Sequence, residues 1–257
     1  MASHLIHCSY HKCLTVYFGR VFKAVFNRCL PWTAGYRHYN SDLEAFYDGF
    51  AEHRVASVNN QALDLERLGE FRLSRFLRDP RDLIVSGYFY HRRGAEPWTT
   101  LKAPTEEDWA FANGRVPEGL SASGLSFSEY LQSLPEEEGL LAELEFRAAH
   151  LESMARWPRE HPDIAVYRYE DLVADGPEVF RQLFEHYRLG PVGRRLGLFF
   201  ARRYSLSQKA KGRQQSSDPH IRNPAAGQWR RHFTPRVRQA FDRRYAGLVG
   251  QLGYPES

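Results

Sequence analysis

The chain has 257 residues, 42% of them hydrophobic and 14% aromatic, and a formal net charge of +4. That composition argues against a disordered chain and fits one α/β domain over 1–257 with a substantial core. No apolar run approaches the roughly 20 residues that cross a bilayer, and Met1-Ala2-Ser3-His4-Leu5-Ile6 lacks the basic and apolar regions of a secretory signal. A cytoplasmic protein without a membrane span is therefore expected. Cys8, Cys13 and Cys29 are too few for a disulfide framework and wrongly spaced for zinc, so free thiols and no metal are expected. Basic residues crowd the stretch from Arg194 to Arg244, opposed there only by Asp218 and Asp242. Such asymmetry calls for an anionic partner, and nucleic acid, membrane headgroups and a phosphorylated small molecule all meet that description.

In chain order, Ser3 to Cys8 reads as a short buried strand and Ser9 to Lys12 as a polar turn. Leu14, Phe18, Val21, Phe22 and Val25 then recur at helical spacing, which predicts a helix over Leu14 to Asn27. A second strand is predicted from Arg54 to Val58 and a third from Leu73 to Leu77, the latter cut by the turn Arg78-Asp79-Pro80-Arg81. Asp82 to His91 reads as a helix with Asp79 or Asp82 near its N-cap. Residues 94–124 are rich in Gly, Pro, Ser and Thr, and a loop of that length predicts a lid or acceptor-binding segment. Phe127 to Trp157 is helical again, Ile164 to Tyr167 is a fourth strand, and helices near Pro177 to Tyr187 and Arg236 to Leu252 flank a basic loop from Ser205 to Gln228. Strands alternating with helices predict a parallel sheet with helices on both faces.

Three stretches carry candidate chemistry. The first strand–turn–helix sets Lys12 and Thr15 at a helix N-terminus, where backbone N–H groups and the helix dipole suit a phosphate. The Walker pattern is absent, and a lone lysine in such a turn is equally a solvated charge. Arg78 leaves a strand and Ser86 follows eight residues later, an arrangement able to grip phosphate oxygens; a charged turn with a local ion pair explains the same residues. Arg222 precedes Gly227-Gln228-Trp229 in the basic loop, where it can close on a phosphate or simply decorate the surface.

Together these stretches resemble the PAPS-dependent sulfotransferase family, whose donor is 3′-phosphoadenosine 5′-phosphosulfate. Ser9-Tyr10-His11-Lys12-Cys13-Leu14-Thr15-Val16-Tyr17 is similar to the family's 5′-phosphosulfate loop. Arg78-Asp79-Pro80-Arg81-Asp82-Leu83-Ile84-Val85-Ser86 is similar to its 3′-phosphate strand–turn–helix. Tyr167-Arg168-Tyr169-Glu170-Asp171-Leu172 and Arg222-Asn223-Pro224-Ala225-Ala226-Gly227-Gln228-Trp229 resemble two further family segments. The resemblance implies a P-loop-like sulfotransferase fold, PAPS as co-substrate, PAP (adenosine 3′,5′-bisphosphate) as product, and no metal. It also implies residue roles. Lys12 would hold the 5′-phosphosulfate and stabilise charge on the leaving phosphate, with Thr15 and the backbone of Cys13, Leu14 and Val16 on the same group. Tyr17 would stack on adenine, and Tyr169, Ser205 and Leu206 would contact the nucleotide. Arg78, Ser86 and Arg222, the last with Asn223 and Pro224 behind it, would bind the 3′-phosphate. Leu14 stands where the family has glycine, Val16 where it has threonine, and Asn223-Pro224 where it has Lys-Gly.

Many relatives carry a histidine base at the end of the strand before Arg78, but Val58-Asn59-Asn60-Gln61 has none. His11 beside Lys12 is the nearest candidate; Glu96, Glu106, Glu107 and Asp108 in the lid are others. Trp98, Trp109, Phe111 and Tyr88 suit an apolar acceptor pocket, whereas Arg92, Arg93 and Lys102 suit a sugar or an acidic acceptor. The acceptor is thus a small molecule, glycan or lipid alcohol, with no nucleic acid partner. The competing readings are a phosphoryl-transfer enzyme of P-loop-like architecture and a non-catalytic binder of nucleic acid or another anionic ligand. The family's dimer segment is broken at Pro235 and Gln239.

Overall fold

The computed structural model describes residues 4–30, 35–205 and 225–256. Strand β1 (His4–Ser9) leads into helix α1 (Thr15–Phe22), which continues as a π-helical stretch, Lys23–Cys29. Then come β2 (Tyr36–His38), α2 (Leu43–Gly49), β3 (Val55–Asn59) and β4 (Phe71–Leu77). Helices α3 (Pro80–His91), α4 (Glu118–Ser123), α5 (Phe127–Ser133), α6 (Glu136–Phe146) and α7 (Ala148–Arg156) follow. After them β5 (Ile164–Arg168) precedes α8 (Tyr169–His186) and α9 (Pro191–Tyr204), and α10 (Trp229–His232), α11 (Pro235–Tyr245) and α12 (Leu248–Gln251) end the order. The chain divides into two compact units, Met1–Leu77 with Pro158–Asp218 and Arg78–Trp157 with Pro219–Ser257.

The first unit holds one parallel sheet of five strands in the order β2-β3-β1-β4-β5. The central strand β1 is covered on both faces, which is why it reads as a continuous run, Leu-Ile-His-Cys, instead of alternating. His7 belongs to this core. Its Nδ1 shares a 2.8 Å hydrogen bond with Ser74 Oγ, and its ring stacks on Phe18 at 4.3 Å. Phe18 in turn meets Phe76 and Phe180, so α1 and α8 are joined to the sheet by rings. The Tyr187 hydroxyl closes the core by donating to Ile6 O at 2.8 Å.

The predicted helix over Leu14 to Asn27 is instead α1 followed by the π-helical stretch. The wider π turn brings Asn27 beside the edge strand, where its amide donates to Tyr36 O at 3.2 Å and accepts from Tyr36 N at 2.5 Å. At three residues β2 is too short to show alternation, and α2, α4, α9 and α10 are helices that the spacing did not predict. Helix α8 begins at Tyr169 and bends at Asp175 ahead of Pro177, so the Tyr-Glu-Asp-Leu segment forms its first turn, not a strand end. Glu170 and Asp171 there complement the helix dipole.

The second unit is built on α3, which is buried along nearly all of its length. Beside it lies a fully buried charged network. The Glu143 carboxylate accepts from Arg147 Nε at 2.7 Å and pairs with His91 Nδ1 at 2.6 Å. Arg147 Nη1 lies 3.3 Å from His150 Nδ1, and His150 Nε2 donates to Ala112 O at 2.7 Å. A side chain at Gly87 would put its Cβ 2.0 Å from Glu143 Oε1, so only glycine admits this network against α3. Residues 94–124 are packed rather than open: Trp98 stacks on Phe146, and Trp109 meets Phe127 and Phe146 in the same aromatic cluster. Trp109 and Tyr88 are sealed in this core, which removes them from any acceptor pocket, while Phe111, Arg92 and Arg93 face solvent.

Burial lowers both His7 and His150 from 6.5 to about 3, so each is neutral in the fold. The unfolded chain therefore binds more protons than the folded one between pH 6.5 and about 3. Stability is present above that window and lost as pH falls through it, by up to about 1.4 kcal/mol per pH unit per histidine. Urea midpoints measured from pH 7 to pH 4 are expected to fall steadily. His150→Gln should flatten that slope, and an unchanged slope in both His150→Gln and His7→Gln would contradict the assignment.

Candidate functional site

In the first unit, β1 ends at Ser9 and a tight turn carries the chain into α1. Lys12 and Leu14 both adopt left-handed backbone, at φ 73° and 60°. Left-handed backbone costs an L-residue about 1–2 kcal/mol, so something must hold the turn. Asn60, at the carboxyl end of β3, does so: its Oδ1 accepts the His11 N–H at 2.7 Å, and its own N–H donates to Ser9 O at 2.8 Å. The Asn60 amide is itself fixed by donating to Ser41 Oγ at 3.1 Å. Leu14 supplies no side-chain cap to α1, so no cap side chain occupies the N–H groups of the first turn. No acidic residue occurs in the sequence before Asp42.

A polar chain reaches this turn from the sheet edge. His38 Nδ1 bonds to Ser57 Oγ at 2.7 Å and its Nε2 lies 3.5 Å from Asn59 Nδ2. Ser9 Oγ donates to Asn59 Oδ1 at 2.8 Å, and the Thr15 hydroxyl lies 3.3 Å from Ser9 Oγ. Burial lowers the His38 pKa, which keeps the ring neutral and able to accept from the Asn59 amide.

The other first-unit candidates have different surroundings. Cys13 is buried and Val16 exposed. Tyr17 is committed to the core: its hydroxyl donates to Ala201 O at 2.6 Å, its ring meets Phe180 edge-on, and burial raises its pKa. Tyr169 is buried at the start of α8, and Ser205 is half-buried at the end of α9. Leu206, Arg222, Asn223 and Pro224 lie outside the described residues.

In the second unit, Arg78 is the residue that follows β4, and it is buried. Asp79 caps α3 and Pro80 takes its first position. The local ion pair that the sequence allowed is present, and its arginine is Arg81: Nη2 and Nε bind the Asp79 carboxylate at 2.8 and 3.0 Å. Arg81 also donates to Pro255 O and Glu256 O and lies 3.8 Å over the Trp229 ring. Asp82, one turn before half-buried Ser86, accepts the backbone N–H groups of Gly227 at 2.5 Å and Trp229 at 2.9 Å. Burial raises the Asp82 pKa against the pull of those bonds and of Arg78. The loop ending at Trp229 is thus anchored to the helix that begins just after Arg78.

Sequence reasoning passed over Asn60 and Asp82 as working residues. A left-handed-tolerant asparagine at the end of a strand was the available signal for the first. The lid carboxylates behave as surface charges: Glu106 and Glu107 are exposed, and Asp108 is held low by the Thr105 N–H and hydroxyl. Glu96 accepts from the Tyr90 hydroxyl. Among the described residues no cluster of His, Cys, Asp and Glu can hold a metal, and no helix is long and apolar enough to cross a membrane.

A parallel sheet whose central strand turns through left-handed backbone into a helix N-terminus is the P-loop-like α/β class. Residues 75–253 match the sulfotransferase domain model, and the chain belongs to that family. The β1–α1 turn lies before the matched region. Among solved structures, mouse sulfotransferase SULT7A1 complexed with PAP is similar at 15% identity and a TM-score of 0.53, covering 97% of this chain and 85% of that one. Retinol dehydratase with androsterone and the inactive cofactor PAP is similar at 14% identity and 0.51, covering 96% and 80%. No curated protein matches the sequence.

If the left-handed turn is under strain, glycine at position 14 relieves it. Leu14→Gly is expected to raise the melting temperature, by a net gain of about 0.5–1 kcal/mol, whereas Asn60→Ala should lower it. Calorimetry on both variants checks this, and a loss of stability in Leu14→Gly would mean its side-chain packing outweighs the backbone.

Proposed function

We propose that this sulfotransferase-family chain takes its sulfonate from PAPS and delivers it to an acceptor hydroxyl or amine. The observation that carries the proposal is the β1–α1 turn, whose left-handed backbone at Lys12 and Leu14 sets the first turn of α1, without a side-chain cap, at the carboxyl end of the central strand. Lys12, Thr15 and the backbone of Leu14 and Val16 would take the 5′-phosphosulfate; Arg78 and Ser86 would take the 3′-phosphate, with Arg222 as a further ligand. Adenine stacking is not assigned to Tyr17, whose ring and hydroxyl are spent in the core.

In-line transfer forms a bond from the acceptor oxygen to sulfur as the bond from sulfur to the bridging phosphate oxygen breaks. Negative charge grows on the departing 5′-phosphate, and Lys12 with the positive end of α1 would stabilise it there. The acceptor proton must leave in the same step, and His11, next to Lys12 and held through its N–H by Asn60, is the proposed group near it. The reaction would take place in the cytoplasm, where Cys8, Cys13 and Cys29 remain free thiols.

Thermal-shift titration with PAP, ATP, AMP and adenosine 5′-phosphosulfate tests the donor. PAP at ~100 times its Kd should raise the melting temperature by about 5–10 °C, more than the others. An equal response to all four nucleotides would reject a 3′-phosphate site.

Radiolabelled transfer to a panel of phenols, alcohols and sugars then tests the roles. Lys12→Ala should lower kcat about 10²–10³-fold. Arg78→Ala should chiefly raise the donor KM. Reversal of that pattern would exchange the two assignments.

A further inference from the structure

A second surface of the first unit begins beside the phosphate turn and runs away from it along α1 and α9. Helix α9 packs antiparallel on α1 and its π-helical extension. At one end Tyr17 bonds to Ala201 O, and at the other Leu30 lies 3.4 Å from where a Gly193 side chain would begin. Each helix keeps one face in solvent. On α9 that face is Val192, Arg195, Phe199, Arg202 and Arg203, and on α1 and its extension it includes Val16, Arg20, Lys23 and Arg28.

Two properties of these residues are unusual together. The apolar members are strongly exposed, with Val192 at 65% and Phe199 and Val16 each at 57%. The charged members are all cations, for neither 15–30 nor 191–205 contains an aspartate or glutamate. Glu185 of α8 lies 3.8 Å from Arg194, which is half-buried and not part of the face. Between the cations, Leu198, Phe199 and Tyr204 line a shallow depression with Arg195, Arg202 and Arg203.

We propose that this α1–α9 face docks on an anionic phospholipid bilayer. Arginines flanking exposed hydrocarbon on a surface helix match the two layers of such a membrane. The guanidinium groups meet lipid phosphates, and Phe199 and Val192 enter the boundary of the acyl region. A nucleic acid would satisfy the cations but leave the two aliphatic valines in water, because valine offers a base no ring to stack on. The face shares only Val16 with the proposed donor turn, by its side chain and not by the backbone used there, so it stands whether or not PAPS is the donor.

Co-sedimentation of the full chain with phosphatidylcholine vesicles, with and without about 30 mol% phosphatidylserine, tests this directly. Binding is expected to the anionic vesicles, about tenfold or more tighter than to neutral ones, and to fall away in ~0.5 M salt. The double variant Val192→Ser with Phe199→Ser should weaken anionic-vesicle binding about tenfold, and Arg28→Glu with Arg195→Glu should abolish it. Both variants should keep the wild-type melting temperature and the wild-type response to PAP, which separates a docking defect from misfolding and from failure of the donor reading. Should a variant pair lower the melting temperature, the single changes Phe199→Ser and Arg195→Glu take its place. Equal sedimentation with both vesicle types, sedimentation with neither, no effect of the apolar variant, or displacement from vesicles by single-stranded RNA would overturn the proposal.

Discussion

Asn60 holds the β1–α1 turn in a conformation that the residues of the turn do not favour by themselves. Lys12 and Leu14 both sit in left-handed backbone, and neither is glycine. One side-chain amide from the neighbouring strand binds the His11 N–H, while the Asn60 backbone binds Ser9 O. Asn60 is left-handed too, at φ 60°, but asparagine visits that region more readily than leucine or lysine. The turn is therefore held from the next strand, and this is how a sequence lacking glycine at position 14 still presents a helix N-terminus at the carboxyl end of the central strand.

The second unit solves a different problem by the same means. A buried carboxylate ties down backbone that has no regular partner: Asp82 accepts two N–H groups from the Gly227–Trp229 stretch, and Asp79 orients Arg81, which in turn holds Pro255 and Glu256. Buried charges are costly unless each is paired and hydrogen-bonded. The arrangement meets that condition, as does the Glu143–Arg147–His91 network beneath it. In the donor role proposed above, an arginine set among such anchored neighbours would lose less entropy on binding a phosphate.

Positive charge is placed in two ways among the described residues. Lys12 lies in the left-handed turn of the first unit, and Arg78 is buried at the start of the second. Arg28, Arg195, Arg202 and Arg203 are exposed and share their faces with bare valine and phenylalanine. The exposed arrangement suits the extended docking surface proposed above, which tolerates many poses.

Much of the architecture was readable from local pattern. The apolar run of β1 and the Asp-Pro start of α3 are local signals that spacing revealed, and the four family-like segments are short enough to be seen by resemblance. The β1–α1 and β4–α3 junctions and the parallel sheet follow from that local order. What the sequence could not supply were partners set by distant chain. Asn60 reaches back 49 residues to His11, Tyr17 spends its hydroxyl on Ala201 across 184, and His150 meets Ala112 across 38. Tyr17 looked available for stacking and Trp109 for an acceptor pocket because burial is a property of neighbours, not of residue type. Only the folded contacts decided that both belong to the core, and that an asparagine holds the turn where glycine was expected.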